Sequence, residues 1–163
     1  MELPKRKHPR LKQYEYSGNG YYAVTICTKD RKRILSSIVG RVAHNPPQIL
    51  LTDIGKIADK YIKNINKVYD GINTDYYCIM PDHIHLILHF NIPSDVGGMR
   101  ASRPTLFTVV RSLKTMITKE IGKPIWQRSF FDHIIRNEQD LLFERRYIDE
   151  NPVRWLTGDY RIR

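Results

Sequence analysis

The stretch YYCIMPDHIHLILHF, residues 76–90, decides the fold of this chain. It predicts two antiparallel strands joined by a tight turn at Met80-Pro81-Asp82, because proline fixes φ and aspartate offers a local side-chain acceptor. Beyond the turn, side chains alternate between an all-apolar face and a face that carries His83, His85 and His89. His83 and His85 lie one pleat apart, so they could hold one metal ion between them. The plainer alternative is two histidines on the open face of a sheet.

Length and hydropathy are typical of a single globular domain. A chain of 163 residues is long enough to bury a proper core. No apolar run approaches the roughly 18 residues that a membrane-spanning helix requires, and the basic N-terminus lacks the apolar segment of a secretory signal. We therefore expect a cytoplasmic protein. Cys27 and Cys78 lie in strand-like segments without a C-x-x-C pair, which predicts buried free thiols.

The net charge of +10 indicates a polyanionic partner, and nucleic acid is the commonest one in a cytoplasm. Charge supplies affinity for phosphate but neither sequence readout nor chemistry. Residues 1–19 form a basic arm, which either contacts DNA phosphates or serves only for solubility. The candidate DNA-binding residues are Lys5, Arg6, Lys7, Arg10 and Lys12 in this arm, together with Arg128 and Arg136 around the last predicted strand.

The first half of the chain predicts a strand, an uncertain region and a helix. Residues 21–28 are rich in β-branched and aromatic side chains and predict a strand. Residues 34–51 hold one or two short strands, interrupted by two prolines. A helix should begin after Thr52, a suitable N-cap, and end by Gly71, because apolar residues recur between them at spacings of three and four.

The second half predicts two further helices and one strand. Pro104 suits the first turn of the second helix, which should stop at Gly122. Residues 130–135 predict the last strand. Asn137 can cap a third helix, and Pro152 should end it near residue 151, because the residue before a proline avoids the α region.

The order of elements is therefore strand, helix, hairpin, helix, strand, helix. That order is typical of an α+β fold, with a ferredoxin-like or RRM-like antiparallel sheet and two helices on one face. We expect the C-terminal helix on the other face, where it would cover the histidines.

Tyr147 and Asn151 are four residues apart on that last helix and so share one of its faces. If the helix covers the sheet, two imidazoles and an amide oxygen could bind a divalent ion beside a phenol. Such an ion would stabilise charge developing on a phosphate during an in-line displacement. Tyrosine has a pKa of about 10, so proximity and alignment must compensate for its weak nucleophilicity. The arrangement fits cleavage of a phosphodiester through a covalent phosphotyrosine.

Three groups of residues, in this order, resemble those of a known family. They are Met80-Pro81-Asp82-His83-Ile84-His85; Trp126-Gln127-Arg128-Ser129-Phe130 with Asp132-His133 and Ile135-Arg136-Asn137; and Tyr147-Ile148 with Asn151-Pro152-Val153. Together they resemble the REP-associated tyrosine transposases, relatives of the IS200-like single-tyrosine HUH transposases. The resemblance covers roughly residues 18–156.

The resemblance implies a role for each residue of the site. His83 and His85 match the paired histidines of the HUH motif, Asn151 the polar third metal ligand, and Tyr147 the nucleophile that becomes linked to a 5′ phosphate. It implies Mg²⁺ or Mn²⁺, whereas ligand softness alone would favour zinc or another metal that prefers imidazole. The implied substrate is single-stranded DNA with a hairpin or palindromic repeat, which is cleaved and rejoined.

On this interpretation residues 20–156 are the transposase domain and residues 157–163 a short basic tail. The protein could be a homodimer or a monomer, and Tyr147 could serve its own site or a partner's. Two other functions stay open. One is a non-enzymatic RRM-like binder of single-stranded nucleic acid, with Tyr21, Tyr22 and Tyr76 as stacking platforms. The other is a related HUH nickase with a role in replication.

Overall fold

The computed structural model describes residues 16, 18–40, 46–93 and 103–160. Within these ranges the elements follow the predicted order, and the uncertain region contains two short strands that pair with each other. In chain order they are β1 (Gly20–Cys27), β2 (Ser36–Val39), β3 (Gln48–Leu51), α1 (Asp53–Lys63), α2 (Ile65–Val68), β4 (Ile72–Met80), β5 (His83–Phe90), α3 (Leu106–Ile121), β6 (Phe131–Ile135) and α4 (Glu138–Thr157).

Four of these strands form the main antiparallel sheet, in the order β4-β5-β1-β6. This order, with helices connecting β1 to β4 and β5 to β6, is the ferredoxin-like arrangement. The predicted fold class is therefore confirmed. The loop between β4 and β5 contains only Pro81 and Asp82, as the turn signal predicted, and it places His83 at the first position of a central strand.

The apolar face of β5 packs into the main core between the sheet and helices α1 and α3. All four of its apolar side chains are fully buried there, and each contributes about 1.5–3 kcal/mol relative to exposure. These residues are Ile84, Leu86, Leu88 and Phe90. The face that the period-two pattern assigned to the core is therefore the one that is buried.

The histidine-bearing face is covered by α4. Leu141 and Ile148 of α4 belong to a second apolar cluster with residues of β4, β5 and β6. At the sheet edge, Arg145 donates to both carboxylate oxygens of Asp75, at 2.9 and 2.5 Å. These contacts fix the helix over the sheet within one chain, because a bidentate guanidinium–carboxylate pair holds orientation as well as distance.

Two predicted helix starts are confirmed by the hydrogen bonds of their N-cap residues. The Thr52 side chain accepts from Gly55 N–H, and the Asn137 side chain accepts from Asp140 N–H. The predicted start of the second helix is wrong by two residues: Thr105 is its N-cap and accepts from Thr108 N–H, so the helix begins at Leu106 and Pro104 lies before it. A side-chain acceptor for an unpaired N–H defines the start more strongly than proline does.

The predicted end of the last helix is also wrong, because α4 continues through Pro152 to Thr157. Proline inside a helix removes one backbone hydrogen bond and typically costs about 3 kcal/mol. Here Pro152 and Asn151 are buried, and burial of apolar surface in this turn acts against that cost. The extra turn brings the Trp155 ring to 6.3 Å from the ring of His83.

Both cysteines, Cys27 and Cys78, are buried free thiols, as predicted. No helix in the described part of the chain is long and apolar enough to cross a bilayer.

Gly55 is expected to be essential for the packing of α1. A Cβ at this position would lie 2.0 Å from the carbonyl oxygen of Leu35, which also accepts from Thr52 N–H. Gly55→Ala should therefore lower the free energy of unfolding by about 2 kcal/mol, since overpacking costs more than the roughly 1 kcal/mol that alanine contributes to a helix. Urea unfolding followed by circular dichroism measures the difference.

Lys56→Ala is the matched control, because Lys56 is the exposed neighbour of Gly55 on the same helix. It should change stability by less than about 0.5 kcal/mol. A Gly55→Ala protein as stable as the control would show that α1 can move away from Leu35 without loss.

Candidate active site

His83 and His85 project from β5 toward α4 as a close pair. Their Nε2 atoms lie 3.1 Å apart, and their ring planes are nearly perpendicular, at 82°. His83 is fully buried and His85 is 4% exposed. The alternation along β5 thus brings two ring nitrogens to one buried point.

The other nitrogen of each ring is held by a second residue. His83 Nδ1 lies 2.6 Å from Asp82 Oδ1, and His85 Nδ1 lies 3.0 Å from the Thr25 hydroxyl. An ionised carboxylate only accepts, so we assign the His83 proton to Nδ1, and the Thr25 oxygen can accept in the same way. Partners of this kind fix the tautomer of metal-binding histidines and leave Nε2 with a lone pair. Asp82 is held in turn by Arg31, whose Nε lies 3.1 Å from Oδ2.

Burial keeps both imidazoles neutral. Desolvation, opposed by Asp82, lowers the pKa of His83. Desolvation and the neighbouring His83 lower the pKa of His85 to about 3. Both rings are therefore uncharged near pH 7, which is the state that binds metal. Two lone pairs at 3.1 Å repel each other unless a cation or a hydrogen-bond donor lies between them.

Helix α4 brings Tyr147 to the histidine pair. The Tyr147 ring is 5% exposed and meets the His85 ring edge-on, with centroids 5.5 Å apart. Asn151 is one turn further along the same helix face and is fully buried. The sequence left open whether Tyr147 serves its own site, and in the structure it lies beside His85 of the same chain.

The hydrogen bonding of the Asn151 side chain shows whether its amide oxygen could bind a metal ion. Its Nδ2 donates to the Tyr147 carbonyl at 2.7 Å. Its Oδ1 is buried, and no described residue donates to it. A buried acceptor left without a partner costs about 1–3 kcal/mol, so binding of a cation or a donor at this oxygen would remove that cost. Two neutral imidazoles with one amide oxygen form a donor set that fits a divalent cation.

Tyr160 also contacts the histidine pair, and the sequence analysis did not predict this contact. Its hydroxyl lies 2.5 Å from His83 Nε2 and 3.5 Å from His85 Nε2. Burial raises the pKa of Tyr160, so the phenol keeps its proton and donates a hydrogen bond to His83 Nε2. No local pattern could have marked this residue. Its position depends on the extension of α4 past Pro152 and on the left-handed turn at Gly158, which has φ of 79°.

A cleft of about 370 Å³ opens beside Tyr147, between β6 and the first half of α4. His85 and Tyr147 line its buried end. His133, Asp140 and Glu144 line its more exposed part, and one ligand atom from each lies within 4.8 Å of the others. His133 Nε2 lies 3.0 Å from Asp140 Oδ2. Tyr147 thus lines a cleft whose other end is exposed to solvent.

The predicted DNA-binding residues are only partly within the described structure. The five basic residues of the arm, from Lys5 to Lys12, lie outside it. Arg128 is exposed, and its carbonyl accepts from Lys114 Nζ at 3.2 Å. Arg136 is exposed where β6 meets α4, and its N–H donates to Asp140. Their contact with DNA stays a prediction.

The chain matches the sequence profile of the family described as "Transposase IS200 like" over residues 16–151. Because this match covers most of the sequence, the chain belongs to the IS200-like transposase family. A Haemophilus influenzae protein of uncharacterised function is 29% identical over 92% of this chain and 89% of its own length. A second protein of that organism, provisionally named a REP-associated tyrosine transposase, is 33% identical over 47% of each chain.

The fold has a counterpart among solved structures. A REP-associated tyrosine transposase bound to a REP hairpin superimposes with a TM-score of 0.61 and 21% identity, covering 90% of this chain and 74% of that one. These similarities confirm the resemblance that the ordered motifs indicated.

Proposed function

We propose that this chain cleaves and rejoins single-stranded DNA through a covalent link between Tyr147 and a 5′ phosphate. One observation carries the proposal: within a single chain, a tyrosine ring lies against one of two paired neutral imidazoles, and a buried amide follows one turn later on the helix of that tyrosine. Membership of a transposase family supports the same function.

His83 Nε2, His85 Nε2 and Asn151 Oδ1 would hold the divalent cation, which we take to be Mg²⁺ or Mn²⁺. When bound, such a cation polarises a phosphate oxygen and neutralises charge that develops in the displacement. Asp82 and Thr25 orient the two imidazoles, so their loss should weaken cation binding without removing a ligand.

Tyr147 supplies the nucleophile. Its phenol oxygen forms a bond to phosphorus, and the bond from phosphorus to the 3′ oxygen breaks. The departing 3′ oxygen takes a proton from solvent and becomes a 3′ hydroxyl. The phenol proton passes to solvent in the cleft, which Glu144 also lines. The reverse reaction with another 3′ hydroxyl rejoins the DNA, because the phosphotyrosine conserves the energy of the broken bond.

We propose a hairpin-forming repeat as the substrate. The net charge of +10 supports binding to a polyanion, and a solved relative with the same fold is bound to a REP hairpin. The basic arm, Arg128 and Arg136 would contact phosphates on the hairpin. Since Tyr147 lies beside His85 of its own chain, one subunit contains all four proposed site residues, and a homodimer is not required for the chemistry.

The structure gives less support to the RRM-like binder. Such a protein needs an open sheet face with exposed aromatic rings, whereas α4 covers this face. Tyr22 is 1% exposed, the Tyr76 hydroxyl donates to Asp149 of α4, and Tyr21 stacks on His89 with centroids 4.1 Å apart. A replication nickase would use the same chemistry, and its choice of DNA target would distinguish it.

A covalent-adduct assay tests the proposal. The protein is incubated with a hairpin oligonucleotide labelled at either end, in Mn²⁺ or Mg²⁺, and resolved on a denaturing gel. We expect the 3′ label to migrate with the protein and the 5′ label to appear on a shorter free strand. Chelation of the metal should remove both products. A salt-sensitive complex without any adduct would support the binder instead.

Tyr160→Phe is expected to strengthen Mn²⁺ binding about fivefold. Its hydroxyl donates to the nitrogen that the cation would need, and a hydrogen bond of this kind contributes about 1 kcal/mol. Titration followed by electron paramagnetic resonance of free Mn²⁺ measures the affinity.

Tyr61→Phe is the matched control, because the Tyr61 hydroxyl donates to Glu120 on the helix-bearing face of the sheet. It should leave Mn²⁺ affinity unchanged. Weaker binding by the Tyr160→Phe protein would contradict the expectation and would make the Tyr160 oxygen a metal ligand.

A further inference from the structure

The cleft between β6 and α4 has features that the proposed cleavage step does not use. Phe131 on β6 and Phe143 on α4 both line it, and each is 48% exposed. Exposed aromatic rings facing one cleft leave apolar surface in water, which favours a flat apolar ligand between them.

The register of the sheet relates this cleft to the histidine pair. Phe131 lies opposite Thr25, and Thr25 lies opposite His85, so the three residues form one row across β6, β1 and β5. With strands about 4.8 Å apart, the Phe131 backbone is about 10 Å from that of His85. A ligand beside Phe131 would therefore neighbour the group that reacts with Tyr147.

The cleft contains the carboxylates of Asp140 and Glu144, which accept hydrogen bonds and carry negative charge. Although burial opposes it, hydrogen bonds from His133 and from the Arg136 N–H lower the pKa of Asp140. Glu144 lies one turn further along α4. In a chain of net charge +10, this local acidity disfavours a phosphate and favours a ligand with N–H donors.

We propose that this cleft binds one unpaired nucleobase of the DNA strand, adjacent to the phosphate that Tyr147 attacks. The inference rests on the proposed function. The base stacks on Phe131 or Phe143 and directs its amino group toward Asp140 and Glu144. Cytosine, adenine and guanine each carry an amino group that can donate to a carboxylate, whereas thymine has no amino group. The cleft therefore selects these three bases over thymine.

Fluorescence of 2-aminopurine tests the inference without relying on cleavage. The full chain carrying Tyr147→Phe is mixed with Mn²⁺ and hairpin oligonucleotides that hold 2-aminopurine at each unpaired position in turn. We expect strong quenching at one position. Phe143→Ala or Phe131→Ala should abolish the quenching and weaken binding about tenfold. Neither substitution should weaken binding of an oligonucleotide that is abasic at that position.

Leu142→Ala is the matched control, since Leu142 is 54% exposed on α4 and does not line the cleft. It should leave the quenching unchanged. In the active chain, Glu144→Gln should reduce the preference for cytosine over thymine at the same position about tenfold.

The outcomes separate the two proposals. Quenching that is absent at every position, or unchanged in both phenylalanine variants, overturns the base site, whether or not an adduct forms. Quenching that depends on Phe143 or Phe131 while wild-type protein forms no adduct supports the base site and overturns the cleavage function.

Discussion

Replacing Tyr147 by phenylalanine is expected to reduce adduct formation at least about 1,000-fold, because the variant lacks the oxygen that attacks phosphorus. The phenyl ring keeps its edge contact with His85, at 5.5 Å, and its place under the Arg154 guanidinium, at 5.6 Å. Stability and binding of uncleaved hairpin should therefore stay close to wild type. Single-turnover adduct formation in Mn²⁺, with DNA affinity measured in parallel, separates chemistry from binding.

Two further tyrosine variants show whether this effect is specific. Tyr76→Phe loses the bond to Asp149 on α4 but lies outside the proposed chemistry, so it should still form the adduct. Mass spectrometry of the wild-type adduct should place the phosphate on Tyr147. An adduct that persists in Tyr147→Phe and disappears in Tyr160→Phe would make Tyr160 the nucleophile instead.

His85→Ala is expected to remove both cation binding and cleavage. It deletes one of the two imidazole ligands, whose Nε2 atoms lie 3.1 Å apart, and leaves only His83 and Asn151 of the proposed ligand set. Wild-type protein should gain about 2.7 kcal/mol of stability when Mn²⁺ is present at 100 times its dissociation constant, and the variant should gain almost none. Thermal unfolding with and without Mn²⁺ measures this difference, and the adduct assay should show no product.

Two controls locate the cation more closely. Thr25→Val removes only the hydroxyl near His85 Nδ1, so it should weaken Mn²⁺ binding about 10- to 100-fold without abolishing it. His133→Ala alters the cluster with Asp140 and Glu144 and should leave the Mn²⁺ effect intact. Stabilisation that survives His85→Ala and disappears in His133→Ala would place the metal in that cluster.

Local signals in the sequence were sufficient for most of the fold. The alternation after Asp82 assigned the buried and histidine-bearing faces of β5, and Thr52 and Asn137 marked two helix starts. These signals work because they involve neighbouring residues, whose geometry is fixed by the strand repeat or by one hydrogen bond. The end of α4 was predicted wrongly at Pro152 because the backbone preference of proline is a local signal. The burial of Pro152, which the local signal does not include, depends on packing against the rest of the fold.

By itself, the sequence determined that two histidines share one strand face and that Tyr147 and Asn151 share one helix face. It also predicted that this strand face and this helix face lie on opposite sides of one interface. Only the tertiary structure decided that these faces meet within one chain, that Thr25 orients His85 across 60 residues of sequence, and that Tyr160 returns to His83. The physical reason is the distance along the sequence over which each interaction acts. Periodicity and capping are set within a few residues, whereas strand register and helix docking are set by apolar burial and ion pairs between distant segments.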